Sequence, residues 1–250
     1  MEAIEHPSIV AALINQVLGL FGIHAPDHLV FVGLITLIIL AIGLAIRSTL
    51  SVENPGKFQI VLEDIVSFLA KSLEDQMGAN GRKFLPLLGT LFVFILIGNL
   101  MGQVPGLGSP TSNINVPFAC AITLWLYYHW QGIRAHGPVS YLKHFAVMPG
   151  VPIVMAPMIF VIEIISHLSR VLSLTLRLFG NIFGEHLVVL ILASLVPFIA
   201  PLPIQFLGLI VGPLQAFIFF VLGTIYLTAA TTVDHHDEEE AHAAAHAPAH

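Results

Sequence analysis

Arg177 stands in the string SLTLRLFGNIF with no acidic residue within four positions on either side. A guanidinium stays protonated at every physiological pH. Placing one in a hydrocarbon environment costs about 2.5–3.5 kcal/mol or more, so it must meet water or an anionic partner. It cannot relay protons by losing its own. It can lower the pKa of a nearby carboxylate and expel that group's proton, and it repels a proton moving past it. At 100° per residue, Glu163, Ser166, Arg170, Ser173 and Asn181 all fall within about 40° of Arg177 on a helix. Glu185 and His167 fall at about 80°, and His186 points to the opposite side. One polar stripe therefore runs along a helix that is otherwise Leu, Ile, Val and Phe. Such a stripe faces a polar cavity or a partner protein, not lipid. Glu163, Glu185 and His186 are the groups there able to exchange protons.

A salt bridge that merely fixes packing is the competing account of Arg177. Glu163 is 14 residues away, about 21 Å along the axis, and Glu185 is eight residues away, so neither closes a bridge within the helix. Arg170 lies nearer one end and can snorkel to the interface. Ser166 and Ser173 can bond their own helix carbonyls. An arginine with no acid within reach in its own chain implies a carboxylate on another membrane subunit.

The rest of the chain reads as the frame for that helix. Of 250 residues, 56% are hydrophobic and 10% charged, against about 25% charged in soluble domains. Mean hydropathy is +0.90. This balance excludes a soluble enzyme and a nucleic-acid binder, and points to an all-α, polytopic membrane protein. The one cysteine, Cys120, excludes an internal disulfide or a cysteine-based metal cluster. No cofactor or metal site is expected.

Residues 8–23 are apolar but short and read as an interfacial helix. The first 28 residues hold no Lys or Arg, unlike a secretory signal. Spans are expected at about 29–46, 84–104, 116–131, 151–195 and 204–232. Residues 57–77 alternate apolar and charged positions at helical spacing and read as an amphipathic interfacial helix. The aromatic cluster Trp125, Tyr127, Tyr128 and Trp130 suits the headgroup level. The 151–195 segment would be on the order of 60 Å long, against about 30 Å of hydrocarbon. It must tilt strongly, kink or break, with Pro157 a candidate break.

Residues 1–233 form a single membrane domain in this reading, and 234–250 a disordered acidic and His-rich cytoplasmic tail. Five of the fifteen acids sit in that tail, so the first 233 residues carry nine basic and ten acidic side chains. Arg47, Lys57, Lys71, Arg82 and Lys83 lie between spans one and two, and Arg134 and Lys143 between spans three and four. The positive-inside rule then places the N-terminus outside and the C-terminus in the cytoplasm.

The stretch IEIISHLSRVLSLTLRLFGNIFGEH (162–186) resembles the helix core of the a subunit family of F-type ATP synthase. GPLQAFIFFVLGTIYLTAA (212–230) resembles that family's last helix, and PTSNINV (110–116) the loop before its third span. The likeness covers most of the chain from about residue 55. It implies a proton-translocating stator subunit of the F0 sector, in a bacterial plasma (inner) membrane. It implies no ATP chemistry by the chain itself, which has no GxxxxGK[ST] phosphate loop. The implied partners are the c-ring, the peripheral-stalk b subunits, the other F0 and F1 subunits and the lipid bilayer, with no nucleic acid.

In that family the arginine matching Arg177 faces the rotating ring. Positions matching Glu163, Ser173, Asn181 and Gln215 line aqueous half-channels, and the two last helices are long and strongly tilted. Glu185 and His186 join the implied proton path. The family's acid or His seven residues before the Gln is here Gly208, for which either Glu185 or water can compensate. Asn113 stands where many bacterial relatives carry Asp, and in a loop Asn is commonly a turn residue. Gln215 is expected to hold the Arg177 guanidinium. Gly180, Gly184, Gly212 and Gly223 read as close-packing sites.

Two rivals stay open. A free-standing secondary transporter would show internal repeats, and none is convincing. An intramembrane hydrolase would need an HExxH pair, which is absent, or a Ser–His dyad.

Overall fold

The computed structural model describes residues 9–19, 25–51, 55–104, 107–138, 141, 155–196 and 199–231. Among them every regular element is helical. In chain order these are α1 (Ile9–Gly19), α2 (Asp27–Thr49), α3 (Lys57–Met77), α4 (Leu85–Gly102), α5 (Asn115–His136), α6 (Ala156–Leu195) and α7 (Leu202–Thr231). Short 3₁₀ turns at Gly78–Phe84 and Pro110–Ser112 lead into α4 and α5. The expected tail at 234–250 and most of the 132–148 loop lie outside the described residues.

Four helices are long and apolar enough to cross a membrane: Asp27–Arg47, Asn80–Gly102, Pro157–Leu195 and Leu202–Thr231. The chain is an all-α, polytopic membrane protein. The third expected span, 116–131, is different. Its helix α5 has 22 residues, enough to cross by length at 1.5 Å per residue. It is less apolar than the other four because His129, Gln131, Arg134 and His136 fall in its last two turns.

Pro157 does not break α6. It sits in the first turn, where the missing N–H has no partner to lose, and the helix runs unbroken for 40 residues. Pro213 lies inside α7 and removes one rung of its ladder.

The core is built around α7, which packs on α4, α5 and α6. Leu88 and Phe92 of α4, Leu124 of α5, Leu174 and Leu178 of α6 and Phe219 and Phe220 of α7 are all buried in it. Gly223 lets α7 close on α4 and α5, since a Cβ there would lie 2.9 Å from Leu88 and 3.2 Å from Leu124. Helix α3 covers the same 57–77 range as the periodicity. Its C-terminal half docks through Leu69, Ala70 and Leu73, with Phe68 against Phe217, while Phe58, Val61 and Val66 stay exposed. Helices α1 and α2 form a second, smaller cluster, in which Ala11, Phe31 and Ile35 meet Met101.

Helix α6 carries three faces. Val171, Leu174, Thr175, Leu178 and Ile182 recur at helical spacing and are buried. Ile165, Leu168, Leu172 and Leu176 are exposed and apolar, suited to lipid. The polar stripe runs between these two faces.

Candidate functional site

The stripe divides according to which side of it each residue lies. Glu163, Arg170 and Asn181 stand on the side nearer the buried face; Arg170 and Asn181 reach α7, at Tyr226 and Gln215, while Glu163 pairs with His167 one turn along α6 itself. Ser173, Arg177 and Asn181 are exposed. Among the described residues no carboxylate lies within ion-pair distance of Arg177, and its guanidinium makes no hydrogen bond. A Cβ added at Gly180 or Gly184 would meet nothing within 4 Å. These two glycines are therefore not close-packing sites within this chain, contrary to expectation. They lie within about 60° of Arg177 on the helix and leave open space beside it. Gly212 and Gly223 do pack closely.

Gln215 does not hold Arg177. Its side chain is buried on α7, and its Oε1 accepts a bond from Asn181 Nδ2 at 2.7 Å. The physical reason is register: Asn181 lies one turn beyond Arg177 and about 40° nearer the α7 side. Gln215 Nε2 is left buried without a partner, the kind of orphan donor that costs about 1–3 kcal/mol.

Toward the C-terminal end of α4, three elements converge on Glu185 and His186. Gln103 Nε2 donates to Glu185 Oε1 at 2.7 Å. Gly208 of α7 lies against the same carboxylate, so that a Cβ at 208 would collide with Glu185 Oε1. Glu185 thus fills the volume that a side chain at 208 would take. His186 Nε2 lies 3.2 Å from where a Cβ on Gly102 would stand, beside Ser109.

Behind these groups runs a buried polar network that ties α4, the 107–113 loop and α7 together. Asn99 Nδ2 donates to the Gly212 carbonyl at 3.0 Å, Thr111 Oγ1 donates to Asn99 Oδ1 at 2.8 Å, and Ser109 Oγ donates to the Gly98 carbonyl at 3.0 Å. Asn113 acts as the turn residue its type suggests, accepting from the Asn115 backbone N–H at 3.2 Å. Its amide also meets His28 Nδ1 of α2 at 3.3 Å.

At the other end of α6, Glu163 Oε1 lies 3.2 Å from His167 Nε2. His167 Nδ1 meets the Tyr128 hydroxyl at 2.8 Å. Tyr128 is 1% exposed, so it is a core residue and not a headgroup anchor. Trp130 of the same cluster is 61% exposed and does suit an interface. Arg170 does not snorkel: its guanidinium lies 5.1 Å above the Tyr226 ring centre. Among the described residues no group of three or more His, Cys, Asp and Glu side chains is placed to share a metal ion.

Sequence reasoning missed Asn99, Gln103, Ser109, Thr111 and Tyr128. The available signal was polarity in and just after apolar α4, where Asn99 interrupts an otherwise hydrocarbon run and Gln103 follows its last residue.

A sequence model of the family described as ATP synthase A chain matches residues 29–228. The protein named ATP synthase subunit a from Geotalea daltonii is 40% identical over 233 residues, 92% of this chain and 99% of that protein. The Desulfosudis oleivorans protein of the same name is 41% identical over 228 residues, 90% of this chain and 97% of its own. That of Geotalea uraniireducens is 44% identical over 181 residues, 72% of this chain and 77% of its own. The match runs through every helix from α2 to α7, so the chain belongs to the ATP synthase A chain family.

Proposed function

We propose that this chain is the stator subunit of the F0 sector that passes protons to and from a rotating ring. The observation that carries the reading is Arg177, an arginine on a membrane helix, exposed and without a carboxylate partner within the described chain. A charge so placed needs an external anion. The open space at Gly180 and Gly184 leaves room for a helix of the c-ring to bring its carboxylate alongside.

When that carboxylate arrives protonated, the nearby cation favours its ionised form and drives the proton off. The same cation stands between two polar approaches and repels a proton crossing directly from one to the other. One approach contains Glu185, His186, Gln103 and the Asn181–Gln215 pair. The other contains Glu163, with Ser173 on the way to Arg177. The positive-inside rule puts the Glu163 end at the cytoplasm and the Glu185 end outside, with α5 as the fifth span. In that frame the 40-residue α6 lies strongly tilted, because its length of about 60 Å exceeds the hydrocarbon thickness of about 30 Å. The remaining partners are the b subunits of the peripheral stalk and, through them, the rest of the complex, in a bacterial inner membrane. The chain itself performs no nucleotide chemistry.

Cysteines placed singly at Ser173, Asn181 and Gly184 test the partner. Each is expected to form a disulfide with a cysteine on the outer helix of the ring in the assembled complex. Failure at all three positions would favour a transporter that works without a ring.

A further inference from the structure

We propose that His167 and His129 form a proton relay linking Glu163 to the C-terminal part of α5, where Tyr141 packs. The inference rests on Glu163 being a proton-path residue, and it names the groups that carry the proton onward.

Both ring nitrogens of His167 are engaged, Nε2 by Glu163 at 3.2 Å and Nδ1 by the Tyr128 hydroxyl at 2.8 Å. The His129 ring lies 4.8 Å from that of His167, centre to centre. His129 Nδ1 in turn meets the Tyr141 hydroxyl at 3.4 Å. Tyr141 comes from the segment after α5 and lies flat against Gly132, where a Cβ would collide with its ring. It covers the end of the pair. Burial pushes the Tyr141 hydroxyl up to about 12, so it remains a neutral donor and acceptor. The Glu163 side chain is 32% exposed and that of His167 only 10%, so the carboxylate has one edge at the surface and the imidazole leads inward.

The proton count balances at each turn. Protonated Glu163 donates to His167 Nε2, whose other nitrogen carries the N–H and donates to the Tyr128 oxygen. The Glu163 proton moves to Nε2 and the Nδ1 proton to the Tyr128 oxygen; the Tyr128 hydroxyl gives its own proton to Nε2 of His129, whose ring lies 4.4 Å away, centre to centre, and His129 releases one from Nδ1 at the Tyr141 hydroxyl. Glu163 ends ionised and the imidazole ends neutral, with its single N–H moved from Nδ1 to Nε2. Rotation of the ring resets it. An imidazole accepts a proton at one nitrogen and releases one from the other, switching between two neutral tautomers. A leucine would fill the space between α5 and α6 equally well, so packing alone does not call for two imidazoles. The charged and titratable groups facing the pair are Glu163 and Arg170 on α6, Tyr128 on α5, Tyr226 on α7 and Tyr141.

The test measures passive proton conduction in membrane vesicles carrying the assembled complex stripped of its catalytic headpiece. His167→Gln keeps hydrogen-bonding capacity but cannot exchange protons by tautomer switching. It is expected to slow conduction at least tenfold, and 50 mM imidazole (on the order of a buffer concentration) to restore at least half of the lost rate. His129→Gln, read the same way, decides the matter if His167→Gln fails to assemble. Conduction at the wild-type rate, or a loss that imidazole does not repair, would overturn the relay and leave the histidines as a packing latch. Arg177→Ala is measured in parallel by ATP-driven pumping. If pumping survives that change, the parent reading fails. If pumping is lost but the histidine variants conduct normally, only the relay fails.

Discussion

Replacing Gly208 with alanine adds one methyl group at the point where α7 touches the Glu185 carboxylate. The Cβ would collide with Glu185 Oε1, so the carboxylate has to move. Moving it breaks the 2.7 Å bond from Gln103 Nε2. A hydrogen bond to a charged group contributes about 1.5–3 kcal/mol. At about 1.4 kcal/mol per factor of ten, the fraction of Glu185 in its native position falls about 10- to 100-fold. If Glu185 lies on the proton path, ATP-driven acidification of inverted membrane vesicles falls by the same order. ATP hydrolysis by the detached headpiece and the amount of this subunit in the membrane should be unchanged. Gly208→Asp combined with Glu185→Gly returns a carboxylate to the same volume from the opposite helix. The pair is expected to pump better than either single change. Pumping by Gly208→Ala within twofold of wild type would refute the placement of Glu185. So would a double variant no better than its parents.

Asn99 is fully buried and bonded to both the Gly212 carbonyl and Thr111, so Asn99→Leu should remove both of these buried bonds. A loss of about 2–5 kcal/mol is expected, read as a lower thermal unfolding temperature of the purified complex and faster trypsin cleavage. Gly184→Leu meets open space in this chain and should leave the subunit folded and inserted. If a ring helix occupies that space, the same change should abolish ring association in a pull-down, and retained association would contradict the assignment of that face.

Much of the frame is legible in the sequence because membrane helices are written in long apolar runs and charge periodicity. The amphipathic 57–77 segment and the 40-residue α6 both follow from that. Arg177 stands out for the same reason, since it is a charge among leucines with no acid within reach along its own helix. The contacts are a different matter. Glu185 meets Gln103 across 82 positions and Gly208 across 23, and no periodicity relates residues on separate helices. Gln215 was expected at Arg177 and instead serves Asn181, because α7 is fixed by close packing at Gly212 and Gly223 against α4 and α5, contacts that no spacing within α6 reveals. Gly180 and Gly184 read as packing sites, yet they face open space. A glycine on a membrane helix signals close approach without saying which chain approaches. Tyr128 belongs to an aromatic cluster whose composition suits either the headgroup level or the core, and α5 turns it inward onto His167.

The central claim is that the Arg177 charge, exposed and unpaired in this chain, drives protons off the ring carboxylate. Arg177→Ala in the assembled complex tests it most directly, with ATP-driven proton pumping measured in vesicles. Because Arg177 makes no hydrogen bond or ion pair within the described chain, the complex should still assemble at wild-type levels. Pumping should fall to background, while normal pumping with alanine at 177 would contradict the account.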